Sequence, residues 1–496
     1  MLFVLLACSP AWDPELNAGR LTVGRESRRG RALGPDEALP AEALSIASPC
    51  EGSGWITPGS SRIELPCEQP TWVELPKPAA QGRDLLLIVL DTTRPDHLTP
   101  QRTPRIHAHA QSAWRPTEVL SPSAWTVPSM VALFTGQQPW ELLPEGSSWL
   151  SSQATTLPER LPDHKRMLVS ANPWVGPSSN LDQGFDRVLN VDDDDQAVQV
   201  AQAWWREPSP APRLLVVQLM TAHMPYLPKH PPEGEHGPNV KDSFADLDGW
   251  PAYATDEDKR RIAELYAAGV GELDGHAGAL LDLAEEDTVV AVISDHGEEL
   301  FEHGTFEHGH ALWPEVVRVH AAIAGAELPS PRPRMGLHEI GQALQQALGL
   351  EPSGSRPLGA RVLLGHPLGP RQPIHRWAMW SPAGELYWGD ERSQQGDEKL
   401  LDQHLSRALE AIEEVEWERH PWCEQEVLAG QTLRLPDTVG WPQWSPPGSW
   451  GPARRDGPRS WSKPPALAAG GCAICAPTAS CARTSPSNPT WAPRSS

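Results

Sequence analysis

Five short apolar runs constrain this chain more than any other feature. Leu85-Leu86-Leu87-Ile88-Val89-Leu90 is unbroken, with no polar residue to mark a solvent face. That is the pattern of a strand buried on both faces of a parallel sheet. Arg166–Ser170, Leu214–Leu219, Val289–Ile293 and Val319–Ile323 repeat it. Helix-period patterns lie between the runs, notably Ala197–Trp205 and Asp258–Leu283. Strands and helices alternating at this scale predict an α/β sandwich with a mostly parallel central sheet.

In open sheets of this class, ligands bind beyond the carboxyl ends of the strands, so the polar residues just after each run are the site candidates. Asp91 follows the first run, Asn172 the second, His223 the third, and Asp295 with His296 the fourth. A single Asp in such a place is ordinarily a helix cap. Several metal-type side chains at one sheet edge point instead to a shared centre. Asp96, five residues beyond Asp91 in a loop, is not expected to add a ligand.

The stretch Ser123-Ala124-Trp125-Thr126-Val127-Pro128-Ser129-Met130 reads as a helix start, with Pro128 at the first helical position and Gly136 as the stop. Thr126 then sits just ahead of free backbone N–H groups, where the helix dipole favours an anion. By itself this is an ordinary capping threonine. Beside Asp91, Asp295 and His296 it completes an oxygen-rich, single-imidazole donor set suited to Zn²⁺ or Mn²⁺. A metal would lower the pKa of the Thr126 hydroxyl and neutralise substrate charge. Threonine without a metal or a base is a poor nucleophile, so the two features need each other. His223, His308 and His310 are candidates to hold substrate oxygens, with His223 and His308 also placed to protonate a leaving group.

Charge argues against a nucleic-acid partner, unless a local basic groove offsets the field. Lys and Arg number 41 against 64 Asp and Glu, a net charge of −23, which repels nucleic acid. No apolar run approaches the roughly 20 residues needed to span a bilayer. Met1–Cys8 is apolar and ends at a cysteine after a small residue; it resembles a bacterial lipoprotein signal, though short and without a preceding Lys or Arg. If Cys8 bears the lipid, the chain is an exported lipoprotein, periplasmic or at the cell surface. Cys50 and Cys67 could pair in such a compartment. Cys472, Cys475 and Cys481 lie in a Pro/Ser/Ala tract with no second ligand pair, a weak zinc signal.

Three motifs in order, Leu87-Ile88-Val89-Leu90-Asp91-Thr92-Thr93-Arg94-Pro95-Asp96-His97-Leu98, then Trp125-Thr126-Val127-Pro128-Ser129, then Ser294-Asp295-His296-Gly297-Glu298 with Glu302-His303-Gly304 and His308-Gly309, resemble the sulfatase family of the alkaline phosphatase superfamily. The resemblance covers roughly residues 83 to 410. It implies an alkaline-phosphatase-like sandwich, a metal-dependent ester hydrolase and a covalent intermediate on the nucleophile. It also implies metal ligation by Asp91, Thr126, Asp295 and His296, with Arg94 joining the three histidines in substrate binding. Two departures matter. The position that carries a formylglycine-forming Cys in sulfatases proper is Thr126, and the Arg position of that motif is Met130; an unmodified Thr there resembles the phosphoryl-transferring relatives. The tandem Asp-Asp and the later Asp-Asn are Asp91-Thr92 and Asp295-His296, which shifts the preference among one or two divalent ions from Ca²⁺ toward Zn²⁺ or Mn²⁺.

The domain expectations follow: a signal at 1–8, a Pro/Gly-rich linker and small β appendage over 9–80, a catalytic core over 83–325, a small C-terminal α+β subdomain over 326–430, and a disordered tail over 435–496. The expected function is hydrolysis or transfer of phosphate-type esters through Thr126. Two alternatives stay open: sulfate ester hydrolysis by unmodified Thr126, and an inactive lipid-tethered binding protein. The substrate could be a small molecule, a lipid or a glycan ester.

Overall fold

The computed structural model describes residues 77–353, except 140, 141, 144–147 and 233–253, together with short segments between 20 and 75 and strands between 360 and 395. Cys8 with the signal expected at 1–8, the Cys50/Cys67 pair and the tail expected over 435–496 with its cysteines lie outside the described residues. The elements that position the site are β1 (Arg20–Val23), β2 (Glu26–Arg29), β3 (Leu85–Leu90), α1 (Pro104–Ser112), β4 (Glu118–Leu120), α2 (Thr126–Thr135), β5 (Lys165–Ser170), β6 (Arg187–Asn190), α3 (Asp194–Trp205), β7 (Arg213–Leu219), α4 (Asp256–Leu281), β8 (Val289–Ser294), β9 (Ala321–Ala324) and α5 (Leu337–Ala347).

The central sheet has eight strands in the order β1-β2-β6-β5-β7-β3-β8-β9. The five middle strands, β6 to β8 in that order, pair in parallel. The flanking strands are antiparallel. This is the mixed, mostly parallel α/β architecture expected from the apolar runs. Strands β1 and β2 extend the sheet at one edge, from within the segment read as linker and appendage.

Period-two alternation decides which layer each strand residue joins. Leu85, Leu87, Val89, Leu214, Val216, Val289, Ala291 and Ile293 pack with α2 and α5. Leu86, Ile88, Leu90, Leu215, Val217, Val290 and Val292 pack with α1, α3 and α4. Helices therefore cover both faces. Helix α5, from the segment beyond 325, crosses α2 so closely that a Cβ on Gly341 would come within 2.4 Å of the Leu133 carbonyl oxygen. Among the described residues no helix is long and apolar enough to cross a membrane.

Two sequence expectations are corrected here. The run Val319–Ile323 is not one parallel strand. Arg318–Val319 pairs with β4, while Ala321–Ala324 forms the antiparallel edge β9. The break falls at His320, whose N–H donates to Ser294 Oγ while its carbonyl accepts from the Ser294 N–H. The second correction concerns α2. Trp125, extended at φ −159° and ψ 167°, takes the cap position, so Thr126 is the first helical residue and Pro128 the third. Pro128 is tolerated there because the first four N–H groups of a helix have no intrahelical partner. The stop is as read, with Gly136 left-handed at φ 71°.

Candidate metal centre and nucleophile

The face-sorting that builds the core also builds the site. Asp91 continues the 85/87/89 series of β3 and Asp295 the 289/291/293 series of β8. In the parallel register Val89 pairs with Ile293, which sets the two carboxylates abreast on the α2 side of the sheet. Past Asp91 the chain turns through Thr92, left-handed at φ 52°. Tyr266 of α4 clamps that turn, its hydroxyl donating to the Thr92 carbonyl and accepting from the Arg94 N–H. Past His296, Gly297 lies against the 315–316 segment so tightly that a Cβ would meet the Glu315 carbonyl oxygen at 2.0 Å.

Asp91, Asp295 and His296 are fully buried, and one ligand atom from each lies within 4.8 Å of the others. His296 Nε2 is 3.7 Å from Asp91 Oδ1 and 3.6 Å from Asp295 Oδ2. His296 Nδ1 donates to the Gly297 carbonyl, which leaves the lone pair on Nε2 facing the carboxylates. Asp91 Oδ1 is buried with no hydrogen-bond partner, whereas Oδ2 accepts from Asn172 Nδ2 at 2.7 Å and Gln218 Nε2 at 2.7 Å. An orphaned carboxylate oxygen pointing at a second carboxylate and an imidazole lone pair is an arrangement that a divalent cation satisfies.

The nucleophile candidate stands beside these atoms. Thr126 Oγ1 is 3.3 Å from His296 Nε2 and accepts from Asn172 Nδ2 at 3.2 Å. Thr126 caps nothing, so its hydroxyl is committed to the centre and not to its own helix. Two further imidazoles continue the row, His308 with its ring centroid 4.4 Å from that of His296, and His223 5.0 Å from that of His308. His223 Nδ1 donates to the Met224 carbonyl at 2.5 Å, and His308 Nδ1 pairs with Glu298 Oε1 at 3.0 Å.

Two residues expected at the substrate are engaged elsewhere. The Arg94 guanidinium holds Asp96 and Glu302 and donates to the Glu298 carbonyl, so it braces the loop. His310 Nε2 contacts Glu299 and Thr305 while Nδ1 donates to the His308 carbonyl, which makes it a strut beneath His308. In both cases nearby carboxylates bind the cationic or basic group first. The sequence reading missed Gln218 and Glu298. Gln218 was visible as the single polar residue inside an apolar run, and Glu298 as the acid of the Asp295-His296-Gly297-Glu298 motif.

Burial dominates the electrostatics. Desolvation, reinforced by the Asp295 charge, pushes the Asp91 carboxyl up, and desolvation lifts Asp295 to about 6. It depresses His296 to about 4, so the imidazole is neutral at physiological pH. Cation binding needs ionised carboxylates and neutral His296. Affinity is therefore expected to fall about tenfold per pH unit below pH 6 as Asp295 takes up a proton. Zn²⁺ titration calorimetry between pH 5 and 8 checks this; a flat profile would contradict it.

Residues 172–331 match the family model Sulfatase, a span that includes Asn172, Gln218, His223, Asp295, His296 and His308. A sulfatase of Formosa agariphila is 35% identical over 75 residues, 14% of this chain, and the chain spans only 15% of the length of that relative. Similar solved structures include the C-terminal periplasmic domain of EcEptC from Escherichia coli in complex with Zn, at 14% identity and TM-score 0.43, covering 60% of this chain and 94% of that domain. Another is the phosphonate monoester hydrolase SpPMH from Silicibacter pomeroyi, at 15% identity and TM-score 0.46, covering 67% and 96%.

Proposed function

With residues 172–331 belonging to the sulfatase family, we propose that this chain is a metal-dependent hydrolase or transferase that cleaves phosphate-type esters, in preference to sulfate esters, through a covalent intermediate on Thr126. The observation that carries the reading is the buried Thr126 hydroxyl directed at His296 Nε2, beside the orphaned Asp91 Oδ1. Asp91, Asp295, His296 and Thr126 would hold the cation. When bound, Zn²⁺ or Mn²⁺ supplies Lewis acidity that favours the Thr126 alkoxide and offsets charge on the ester's non-bridging oxygens.

The chain's own groups do the rest. Asn172 Nδ2 donates to Thr126 Oγ1 and to Asp91 Oδ2, fixing the nucleophile relative to the centre. The start of α2 adds a dipole that favours the attacking oxyanion. Oγ1 gives up its proton to solvent and attacks phosphorus, the ester oxygen leaves with the electrons of the P–O bond, and it needs a proton. His308 and His223 are suited to give it: each ring is oriented through Nδ1, so protonation at Nε2 makes the acid. Water or an acceptor alcohol then releases the group from Thr126. Export of the chain, with Cys8 as the lipid-bearing residue, is part of the same proposal.

The test is a panel of phosphate mono- and diesters, a phosphonate ester and aryl sulfates, each assayed with Zn²⁺, Mn²⁺ and Ca²⁺. Turnover of a phosphate or phosphonate ester with Zn²⁺ or Mn²⁺ is expected. Turnover confined to sulfate esters selects the sulfatase alternative, and no turnover with any metal selects the binding protein.

A further inference from the structure

We propose that Gln218 is a positioning residue of this centre: it locks Asp91 into offering a single oxygen and keeps the donor set at two carboxylates. The inference rests on the divalent-cation reading given above. Gln218 is fully buried near the end of β7, between β5 and β3, where its register partners are Ser170 and Val89. It follows Leu214 and Val216 in the alternation, so it lies on the α2 side of the sheet, the side of both carboxylates.

The hydrogen-bond arithmetic is restrictive. Nε2 has two hydrogens, and both go to the centre, one to Asp91 Oδ2 at 2.7 Å and the other to Asp295 Oδ2 at 3.4 Å. Asn172 Nδ2 donates to the same Asp91 Oδ2 at 2.7 Å. Two short N–H donors thus occupy Asp91 Oδ2, and only Oδ1 remains for a cation. The amide cannot be reversed, because its oxygen would then face two carboxylates. As oriented, Gln218 Oε1 is buried with no partner. An unpaired buried carbonyl costs stability, and an apolar side chain would pack there without that cost. The bridge between the two carboxylates accounts for an amide at this position. Its neutrality matters equally, since a glutamate would bring a third anionic oxygen donor to the two existing ones, a set suited to Ca²⁺ and Mn²⁺ over Zn²⁺.

The experiment uses the purified full chain stripped with a chelator, with Zn²⁺ and Ca²⁺ affinities measured by competition with a chromophoric chelator at pH 7. Gln218→Met is expected to weaken Zn²⁺ binding by about 10–100-fold, as outer-sphere changes do, without lowering the melting temperature in chelator. Turnover of Gln218→Met should recover in excess Zn²⁺, a rescue that a structural defect would not show. Gln218→Glu is expected to lower the Zn²⁺/Ca²⁺ affinity ratio by about tenfold or more. Zn²⁺ affinity within about twofold of wild type in folded Gln218→Met overturns the proposal. If Gln218→Met does not fold, Gln218→Glu decides, and an unchanged Zn²⁺/Ca²⁺ ratio overturns it. A wild-type chain that takes up neither Zn²⁺ nor Mn²⁺ would instead defeat the metal reading itself.

Discussion

Thr126→Ala is expected to lower turnover by about a thousandfold or more, because under the proposed mechanism it removes the attacking oxygen and not merely a contact. The fold should tolerate the change. Trp125 holds the cap position of α2, so no helix cap is lost, and Asn172 Nδ2 keeps its bond to Asp91. The melting free energy in chelator should therefore move by no more than about 1 kcal/mol. Thr126→Ser restores a hydroxyl in the same place and should recover most of the rate. Steady-state rates at saturating Zn²⁺, with a thermal melt of each variant, separate the outcomes. If the alanine variant retained a tenth of the activity, another group would be the nucleophile.

Asp91→Asn should give opposite signs with and without metal. With Zn²⁺ present, loss of an anionic ligand is expected to weaken binding more than about 100-fold, beyond the cost of an outer-sphere change, and to abolish turnover. In chelator at pH 7, the same substitution should raise the melting temperature. Asp91 and Asp295 are buried like charges whose pKa values both rise on folding, so the ionised pair opposes the fold. The amide fits the existing bonds: its oxygen can accept from Asn172 and Gln218 while its NH₂ faces His296 Nε2. The pH dependence follows from linkage. A raised carboxyl pKa means that the folded state holds its proton more tightly, so the penalty is absent below about pH 4 and grows as pH rises through 6. His296 acts in the other direction: its pKa is depressed to about 4, so its contribution improves as pH rises from 4 to 6.5. The gain from Asp91→Asn should accordingly be largest at pH 7 and small at pH 4. Melts in chelator at both pH values measure it, and an equal effect at both would refute the like-charge account.

The parallel sheet was legible in the sequence because an unbroken apolar run such as Leu85–Leu90 reports burial on both faces, a local property. Val319–Ile323 looked the same but divides at His320 between two sheets, because the Ser294 side chain captures its backbone N–H. Local apolarity carries no information about that partner. Asp91, Thr126, Asp295 and His296 could be read together because each follows a strand or opens a helix, and the three motifs carry the family's spacing. Arg94 and His310 were read as substrate-facing because their residue types allow it. Asp96 lies only two residues from Arg94, so that pairing was open to a local reading; Glu302 and Glu299 become neighbours of Arg94 and His310 only when the loop after β8 folds back.

The sequence by itself determined the class of sheet, the strand ends that bear polar groups and the donor types at each. Tertiary structure alone decided which oxygen of Asp91 stays open, that Gln218 and Asn172 close the other, and that Thr126 turns its hydroxyl to the centre instead of capping its helix. The physical reason is that those outcomes depend on the register of β7 against β3 and on the seating of α2 against the sheet. Both are set by packing between segments far apart in the chain.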